Sequence, residues 1–360
     1  MVQINLKKIN RRMFLYGGGI ILLSFFPLFK KLKASSKNIF KISCGSCLTQ
    51  EKDQPIWKSI LREKSDVFIF MGDNVYGDNK KNSNLNLLKK AYKKQKIKIP
   101  FKKLKETNEI FSIWDDHDYG KNDGGKEFEN KKEAKELFLK FWDIPSDDER
   151  RNREGLYFSK KRNTEIGVIQ FIFLDTRYFR SALKPTDKKW APKKEKYIAD
   201  YDSKKTYLGD KQWNWLKRAF KEKSDIKILI SSIQVLAEGH GFEKWGNLPL
   251  EKRRLYNLID ENDINKLIIL SGDRHRAGIY KDRTKNGNEL YELTSSSLNL
   301  AAGKLFKAVE EAGPNRIGPT YLMENYGTLE INNDKNIKLS IKDLNQQTQN
   351  EIKIDLSWVS

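Results

Sequence analysis

Cysteine is scarce in this chain of 360 residues, which contains only Cys44 and Cys47. Two thiols are too few for a small secreted fold that depends on disulfide bonds. Long apolar runs are also lacking, because the one such run lies in the first 30 residues, and this excludes a polytopic membrane protein. The sequence does contain 38% hydrophobic and 11% aromatic residues, which excludes a wholly disordered chain.

Negative charge is in deficit, since 48 Asp and Glu residues face 69 Lys and Arg residues and the net charge is +21. A clustered excess of this kind would indicate nucleic-acid binding. The lysines are instead spread along nearly the whole chain, often in pairs such as Lys89-Lys90 and Lys193-Lys194. We therefore expect a cationic exterior that favours anionic partners, and no specific nucleic acid as a partner.

The N-terminus carries Arg11 and Arg12 directly before an apolar run over 15–29, which lysines follow. The run is short and contains three consecutive glycines and Pro27, so it suits a signal peptide better than a membrane helix. Residues 1–37 resemble a twin-arginine export signal, and one domain is expected over 38–360. The alternative is an uncleaved anchor that tethers the protein to a membrane.

Under both interpretations the body of the protein is periplasmic or extracellular, and the export machinery is an expected partner. The twin-arginine route carries proteins that are already folded, often with metals loaded. A metal site is therefore expected.

Short apolar runs alternate with segments of helical spacing after the N-terminal segment. The predicted strands cover 38–43, 66–71, 110–113, 166–174, 226–231 and 266–270, and antiparallel strands are expected at 327–331, 337–341 and 351–356. The predicted helices cover 57–64, 129–142, 209–221 and 250–262, with a helical region over 85–105 that Pro100 interrupts. This order predicts an α/β layered fold with its site at the strand ends.

Chemically active side chains follow several of these strands. The loop GDNVYGD at 72–78 brings a carboxylate, Asp73, and a phenol, Tyr76, after one strand, although a turn and a packing ring are the alternative. The loop WDDHDYG at 114–120 places three aspartates around His117. Packing so much negative charge is costly unless cations offset it, and a solvated acidic turn is the alternative.

A third group, SGDRH at 271–275, places Asp273 and His275 two positions apart, where both side chains can face one side of an extended loop. The chain has only three histidines, and two of them stand beside carboxylates after predicted strands. The CGSC sequence at 44–47 lacks a second CxxC, so it favours a single thiolate ligand over a zinc ribbon. A disulfide formed after export is the alternative for these cysteines.

Together these clusters predict a dinuclear metal hydrolase at one sheet edge. They also resemble the alkaline phosphatase D (PhoD-like) family of the calcineurin-like metallophosphoesterase superfamily. The similar segments are GSCLTQ at 45–50, FMGDNVYGD at 70–78, WDDHDYGKNDGG at 114–125, LDTRYFR at 174–180, LGDKQWNWL at 208–216, SSIQVLAEGHGFEKWGNLPLEKRRL at 231–255, LSGDRH at 270–275 and YELTSSSL at 291–298.

The resemblance implies a four-layer αββα sandwich with C-terminal antiparallel strands, and hydrolysis of phosphomonoesters or phosphodiesters. It implies Fe(III) together with Ca(II) or another divalent ion, and Asp73 as the bridging ligand. The implied ligands of the iron are Cys47, Asp73, Tyr76 and His275, and those of the divalent ion are Asp73, Asp116 and Asp273, with Asn122 as an additional candidate.

His117 resembles the histidine that contacts the scissile phosphate, and Arg177 is predicted to be catalytic with it. Trp245 lies in a similar segment, with no role that the sequence indicates. The chain departs from the family at Arg274 and Arg276, where neutral residues are more common, so the substrate charge preference is open.

Three functions are considered. The first is an exported metal-dependent alkaline phosphatase or phosphodiesterase. The second is a phospholipase-like or polymer phosphodiesterase that acts on anionic surface substrates. The third is an inactive basic binding protein on the same scaffold, but the complete set of ligand types favours an enzyme.

Overall fold

The computed structural model describes residues 39–78, 84–303, 311, 313–334 and 336–356, which belong to the unit Lys37–Ser360. Residues 1–37 lie outside the described residues, so the export signal stays a prediction. Among the described residues, no helix combines the length and the apolar character that crossing a membrane requires.

The described part of the chain forms fifteen strands and seven α-helices. The strands are β1 Ile39–Gly45, β2 Val67–Met71, β3 Glu109–Ile113, β4 Phe158–Thr164, β5 Gly167–Phe173, β6 Lys184–Pro185, β7 Tyr197–Ile198, β8 Ile226–Ser231, β9 Leu267–Ser271, β10 Ala277–Arg283, β11 Glu289–Ser295, β12 Arg316–Tyr321, β13 Asn325–Asn332, β14 Asn336–Asp343 and β15 Thr348–Asp355. The helices are α1 Ile56–Glu63, α2 Asn86–Lys96, α3 Ile99–Thr107, α4 Asp116–Tyr119, α5 Lys131–Phe141, α6 Gly209–Lys221 and α7 Pro249–Glu261.

Two large mixed sheets hold most of these strands. The first has the order β15-β14-β13-β1-β2-β3, and the second has the order β12-β10-β11-β9-β8-β5-β4. Strands β1, β2 and β3 run parallel, as do β5, β8, β9 and β11. The carboxyl ends of each parallel set therefore meet at one edge of its sheet, where their loops gather.

Alternation along the strands separates an inner core from two outer ones. In β2, Val67, Ile69 and Met71 join the apolar cluster that both sheets share, whereas Phe68 and Phe70 pack with the helical residues of α1, α3 and α5. On the second sheet, the outward residues of β8 and β9 pack with α6 and α7. Since successive strand residues face opposite sides, each sheet is covered on both faces. The predicted four-layer αββα sandwich is confirmed.

The predicted strands and helices are present, with ends that differ by at most three residues outside the 85–105 region. The region over 85–105 divides into α2 and α3, because Pro100 lies in the first turn of α3, where its missing N–H costs no helical hydrogen bond. Sequence patterns missed the strands β4, β6, β7, β10, β11 and β12 and the one-turn helix α4. The strand β4 is lysine-rich and largely exposed, so it lacks the apolar signal of a buried strand.

A buried carboxylate, Glu63, joins the end of α1 to the C-terminal strands. It accepts hydrogen bonds from Tyr326 Oη at 2.7 Å, Lys342 Nζ at 2.7 Å and Gln346 Nε2 at 3.1 Å. Burial opposes the charge of Glu63, but its bonds with Lys342 and Tyr326 outweigh burial and lower its pKa from 4.5 to about 2. The ionised form is therefore favoured in the folded state.

We predict that Glu63→Gln lowers the free energy of unfolding by about 2 kcal/mol at pH 7, because it leaves the Lys342 ammonium without its counter-ion. A carboxylate whose pKa is lowered by folding stabilises above its unfolded pKa and loses this effect as the pH falls toward its folded pKa. The difference between the variant and the wild type should thus shrink between pH 4.5 and about pH 2. Urea unfolding across this range measures it, and Glu106→Gln on the exposed face of α3 is the control. A constant difference would contradict the assignment.

Candidate metal centre

The predicted ligands follow the carboxyl ends of four strands. Cys47 follows β1, Asp73 and Tyr76 follow β2, Asp116 opens the one-turn helix α4 after β3, and Asp273 and His275 follow β9. The first three strands belong to one sheet and β9 to the other. The site therefore lies where the carboxyl edges of the two sheets face each other.

One cluster combines a thiol, a carboxyl group, a phenol and an imidazole. The Cys47 Sγ atom lies 3.4 Å from Asp73 Oδ2, and Tyr76 Oη lies 3.1 Å from the same oxygen. Tyr76 Oη is also 3.4 Å from His275 Nε2. One donor atom each from Cys47, Asp73 and His275 falls within 4.8 Å of the others, as suits a single ion.

A second group of donors begins at the same aspartate. Asp73, Asp116 and His117 bring one donor atom each within 4.8 Å of one another, and so do Asp115, Asp116 and Asp273. Asp73 thus belongs to both groups, which fits the bridging position implied by the resemblance. Oxygen donors dominate the second group, and such donors suit a hard divalent cation.

Burial makes the ionised forms of these donor groups unfavourable unless cations are bound. Burial and the neighbouring Asp115 and Asp116 carboxylates raise the pKa of Asp73 and of Asp273 well above the usual value. Burial and the Asp73 carboxylate likewise raise the pKa of the Cys47 thiol and of the Tyr76 phenol. A bound cation reverses these preferences because it stabilises each deprotonated donor.

Several buried oxygens at the site have no hydrogen-bond partner among the described residues. They are Asp115 Oδ2, Asp116 Oδ1 and Asn74 Oδ1. Buried polar atoms are almost always paired, so such orphans need an explanation. Together with the thiol, phenol, imidazole and carboxyl donors, they fit a centre that holds two cations. Asn74 was missed by the sequence analysis, although it directly follows Asp73.

The carboxylate of Asp118 joins the two acidic loops. It accepts hydrogen bonds from the backbone N–H groups of Asp73 at 3.2 Å, Asn74 at 3.3 Å and Asp115 at 2.6 Å. Burial raises the pKa of Asp118 to about 7, although these backbone donors favour its charge. Asp118 therefore positions the loops around the site and is not one of the clustered donors.

The loops also hold unusual backbone conformations. The angle φ is positive at four candidate ligands, Cys47 (56°), Asp73 (51°), Asp273 (72°) and His275 (53°). Left-handed backbone is unfavourable for residues other than glycine and concentrates at functional sites. A Cβ at Gly72, where φ is 100°, would lie 2.5 Å from Asp115 Cβ, and one at Gly272 would lie 2.4 Å from Ser46 Oγ. Both glycines thus permit the loops to approach closely.

His117 lies within the second donor group by distance, and its side chain is 18% exposed. Its Nδ1 atom is 2.6 Å from Asp78 Oδ1, and its ring lies 4.1 Å from that of Tyr76. Burial opposes a charge on His117, but Asp116, Asp73 and the bond to Asp78 outweigh burial and raise its pKa to about 11. Asp78 lies within the GDNVYGD loop but was not among the predicted site residues.

Arg177, predicted to be catalytic, is fully buried. Its Nε atom donates to Asp115 Oδ1 at 2.5 Å, and its Nη1 atom pairs with Glu243 Oε2 at 2.8 Å. A guanidinium enclosed in this way holds Asp115 in place and cannot meet a substrate in this arrangement. The structure therefore favours a positioning role over the predicted catalytic one.

Asn122 contacts Asp123, an acidic residue of a third donor group. Its side chain is exposed, and its Nδ2 atom donates to Asp123 Oδ1 at 2.8 Å. Asp123 itself shares a donor group with Asp116 and Glu243. Cationic side chains already meet that group, since Lys196 pairs with Asp123 and Arg180 pairs with Glu243. These ion pairs give the group its counter-charge without a third metal ion.

The structure also shows the surroundings of the two cysteines, Trp245 and His240. Cys44 and Cys47 are both free thiols, so the disulfide alternative is wrong for this structure, and Cys44 packs in the core between the sheets. Trp245 is fully buried and donates from Nε1 to Ser231 Oγ at 3.1 Å. The third histidine, His240, is buried beside Gln234.

Ser296 is a further residue that sequence reasoning did not assign. Its Oγ atom lies 3.1 Å from Cys47 Sγ and accepts a hydrogen bond from the His275 backbone N–H at 2.9 Å. It thus links a loop of each sheet. The YELTSSSL segment was the available signal, but nothing in the serine run distinguishes Ser296 from its neighbours.

Comparisons with known proteins agree with this arrangement. The PhoD-like phosphatase family model matches residues 40–342. A solved structure of PhoD superposes with a TM-score of 0.64 at 14% identity, covering 89% of this chain and 69% of that one. Purple acid phosphatase PPD1 from seeds of yellow lupin (Lupinus luteus) gives a TM-score of 0.57 at 10% identity, covering 88% of this chain and 54% of that one. At these identities the structures show a shared fold. No curated protein sequence matches the chain significantly.

We predict that Asp73→Asn removes bound metal and activity together, because an amide cannot supply the charge that a carboxylate shared by two ions provides. Elemental analysis of the purified variant measures the loss. Asp210→Asn, an exposed aspartate at the start of α6, is the control and should keep its full metal content. Near-normal metal content in Asp73→Asn would contradict the shared position of this carboxylate.

Proposed function

The chain belongs to the PhoD-like phosphatase family, and on that premise we propose that it hydrolyses phosphoric monoesters and diesters outside the cytoplasm, at a dinuclear centre of Fe(III) and Ca(II) or another divalent ion. That it is a metal-dependent phosphoesterase follows from the family and the donor clusters. The observation that carries the proposal is Asp73, whose carboxyl group belongs to both donor groups.

The donor types support the proposed metals. Cys47 and Tyr76 bring a thiolate and a phenolate to one side of Asp73, and these anionic donors stabilise a trivalent iron. Asp116 and Asp273 bring oxygen donors to the other side, where a divalent ion would be held. Such a pair of cations, when bound, polarises the phosphoryl oxygens and lowers the pKa of a water molecule that attacks phosphorus.

His117 supplies the protein's own contribution to the reaction. Asp78 engages Nδ1, while Nε2 is 4.0 Å from Asp116 Oδ1, beyond hydrogen-bond distance. The Nε2 atom is therefore the nitrogen that can donate to a phosphoryl oxygen or protonate the leaving oxygen. Asp78 fixes the ring for this task, and the partial exposure of His117 gives the substrate access.

Arg177 supports the loop that carries two of these groups. Its ion pair with Asp115 fixes the loop that also carries Asp116 and His117. Ser232 Oγ donates to the same Asp115 oxygen at 2.7 Å, so this carboxylate is held from two sides. Arg177 is thus proposed as a positioning residue. The buried pair preserves the geometry on which the reaction depends.

Export is supported by the paired arginines and the apolar run that precede the domain. Export after folding suits this site. Its donors come from distant parts of the chain, and folding brings them together. The alternative of an inactive binding protein has no support from the site. The thiol, phenol, imidazole and carboxyl groups that the family resemblance implies are all brought together.

We predict that the purified protein contains iron and is coloured by charge transfer from Tyr76 or Cys47. Tyr76→Phe should shift or bleach the visible absorption band, because it removes the phenol. The absorption spectrum and elemental analysis of both proteins measure this. Tyr92→Phe, a buried tyrosine of α2, is the control and should leave the band unchanged. A colourless, fully active protein that contains only zinc would exclude the iron assignment.

We also predict that wild-type protein hydrolyses 4-nitrophenyl phosphate and bis(4-nitrophenyl) phosphate, and that a chelator abolishes both activities.

His117→Ala should lower kcat by about 10² to 10⁴ while leaving the metal content almost intact. The loss should be smaller for a nitrophenyl ester than for an alkyl ester, because a good leaving group needs less protonation. Loss of metal, with an equal decline for both esters, would instead make His117 a ligand.

A further inference from the structure

A pocket of about 410 Å³ opens directly beside the metal centre. Its walls include Trp190, Phe242 and the segment from Leu300 to Ala302, and His275 forms its boundary with the centre. The His275 ring connects the two regions, since Nδ1 lies 2.5 Å from the Leu300 carbonyl oxygen and Nε2 lies 3.4 Å from Tyr76 Oη. A substrate held at the centre would therefore have part of its structure next to this pocket.

The surface of the pocket is mainly apolar despite its two arginines. The Arg274 guanidinium donates from Nε and Nη2 to Glu311 Oε1, at 2.9 and 2.6 Å, and lies 4.4 Å from the Phe242 ring centroid. Arg276 Nε lies 3.7 Å from the same carboxylate oxygen. Both arginines are buried, and Glu311 pairs with both, so this carboxylate offsets one of their two positive charges. The arginines of the SGDRHR segment thus line the pocket with guanidinium groups that Glu311 and, for Arg274, the Phe242 ring already engage.

Trp190 forms the rim of the pocket, where both its solvent exposure and its backbone conformation are unfavourable. Its side chain is 70% exposed, and its φ of 63° is rare for a bulky residue. The ring meets Phe242 edge to face at 6.1 Å. An exposed indole on left-handed backbone at the rim of an apolar pocket is placed where it can contact a ligand.

The loop that carries Trp190 is held firmly in place. It connects β6 and β7, and the backbone N–H groups of Lys196 and Tyr197 both donate to the Gly241 carbonyl, at 3.1 and 2.7 Å. The buried Glu195 carboxylate accepts from the Gly241 N–H in return. These bonds fix the Trp190 loop against the segment that carries Phe242, so the two rings form one preformed wall.

We propose that this pocket binds an apolar group of the phosphoester, so that the enzyme favours esters with an aromatic or aliphatic group over esters with a small group. The inference rests on the proposed function, because it places the phosphate at the metal centre. It adds a substrate class and two specificity residues, Trp190 and Phe242. The apolar group could come from an aryl ester or from the acyl chain of a lipid, which share the chemistry that the pocket recognises.

The test compares three substrates with the metal-loaded protein: phenyl phosphate, dihexanoyl phosphatidic acid below its micelle concentration, and methyl phosphate. Trp190→Ala should lower kcat/KM about 10-fold for at least one of the two apolar substrates and less than 2-fold for methyl phosphate. A loss confined to phenyl phosphate identifies an aryl ligand, and one confined to the lipid identifies an acyl chain. Equal changes for all three substrates, or no change, would overturn the proposal.

Two further variants and one control sharpen the comparison. Trp190→Phe should keep most of the preference, because it retains an aromatic wall, and Ala301→Leu should reduce it by filling the pocket. Tyr201→Ala removes an aromatic side chain that is 69% exposed but lies outside the pocket, and it should leave all three rates unchanged.

A binding measurement separates this inference from the proposed function. Isothermal titration with phenylphosphonate and methylphosphonate, which are not hydrolysed, should give a Kd about 10-fold lower for the phenyl compound, and Trp190→Ala should remove that difference. If the wild type binds with this preference but hydrolyses none of the esters, the proposed function fails and the pocket stands. If it hydrolyses the esters without any preference, the pocket assignment fails alone.

Discussion

Buried negative charge at the facing edges of the two sheets is the constraint on which the site depends. Asp73 and Asp116 are buried and Asp273 is half-buried, and burial favours the neutral forms of Asp73 and Asp273. Backbone N–H groups satisfy the neighbouring Asp118 carboxylate, and Arg177 forms an ion pair with Asp115. These contacts hold the loops, but they leave carboxylate oxygens unpaired. Cations supply the remaining compensation, so the demand for metal is a property of the folded protein.

Sequence patterns predicted most of the fold for a simple physical reason. A buried strand such as β2 or β8 is a continuous apolar run, and helices such as α6 have a clear apolar stripe. The missed strands lack that signal. β11 ends in a run of small polar residues, and its buried Glu292 accepts hydrogen bonds from the distant N–H groups of Val235 and Leu236.

The residues of the site also divide into those with a local sequence signal and those without one. The acidic loops could be found from sequence because their carboxylates directly follow strands, and parallel strands bring such loops to one edge. The roles of Arg177, Asn74 and Ser296 depend on contacts between loops that are far apart in the chain. Local patterns carry no information about such contacts. The burial of Arg177 in particular, on which its proposed positioning role rests, is visible only in the folded structure.

The strand order also limits when the centre can form during synthesis of the chain. β1, which precedes Cys47, lies between β2 and β13, and its register pairs Ile39 with Asn332. The ribosome therefore releases Cys47 and Asp73 long before the partner strand exists, and contacts so distant in sequence form slowly. An ion that arrives early meets only part of its donor set. The complete donor set is available only after the chain has been synthesised through His275.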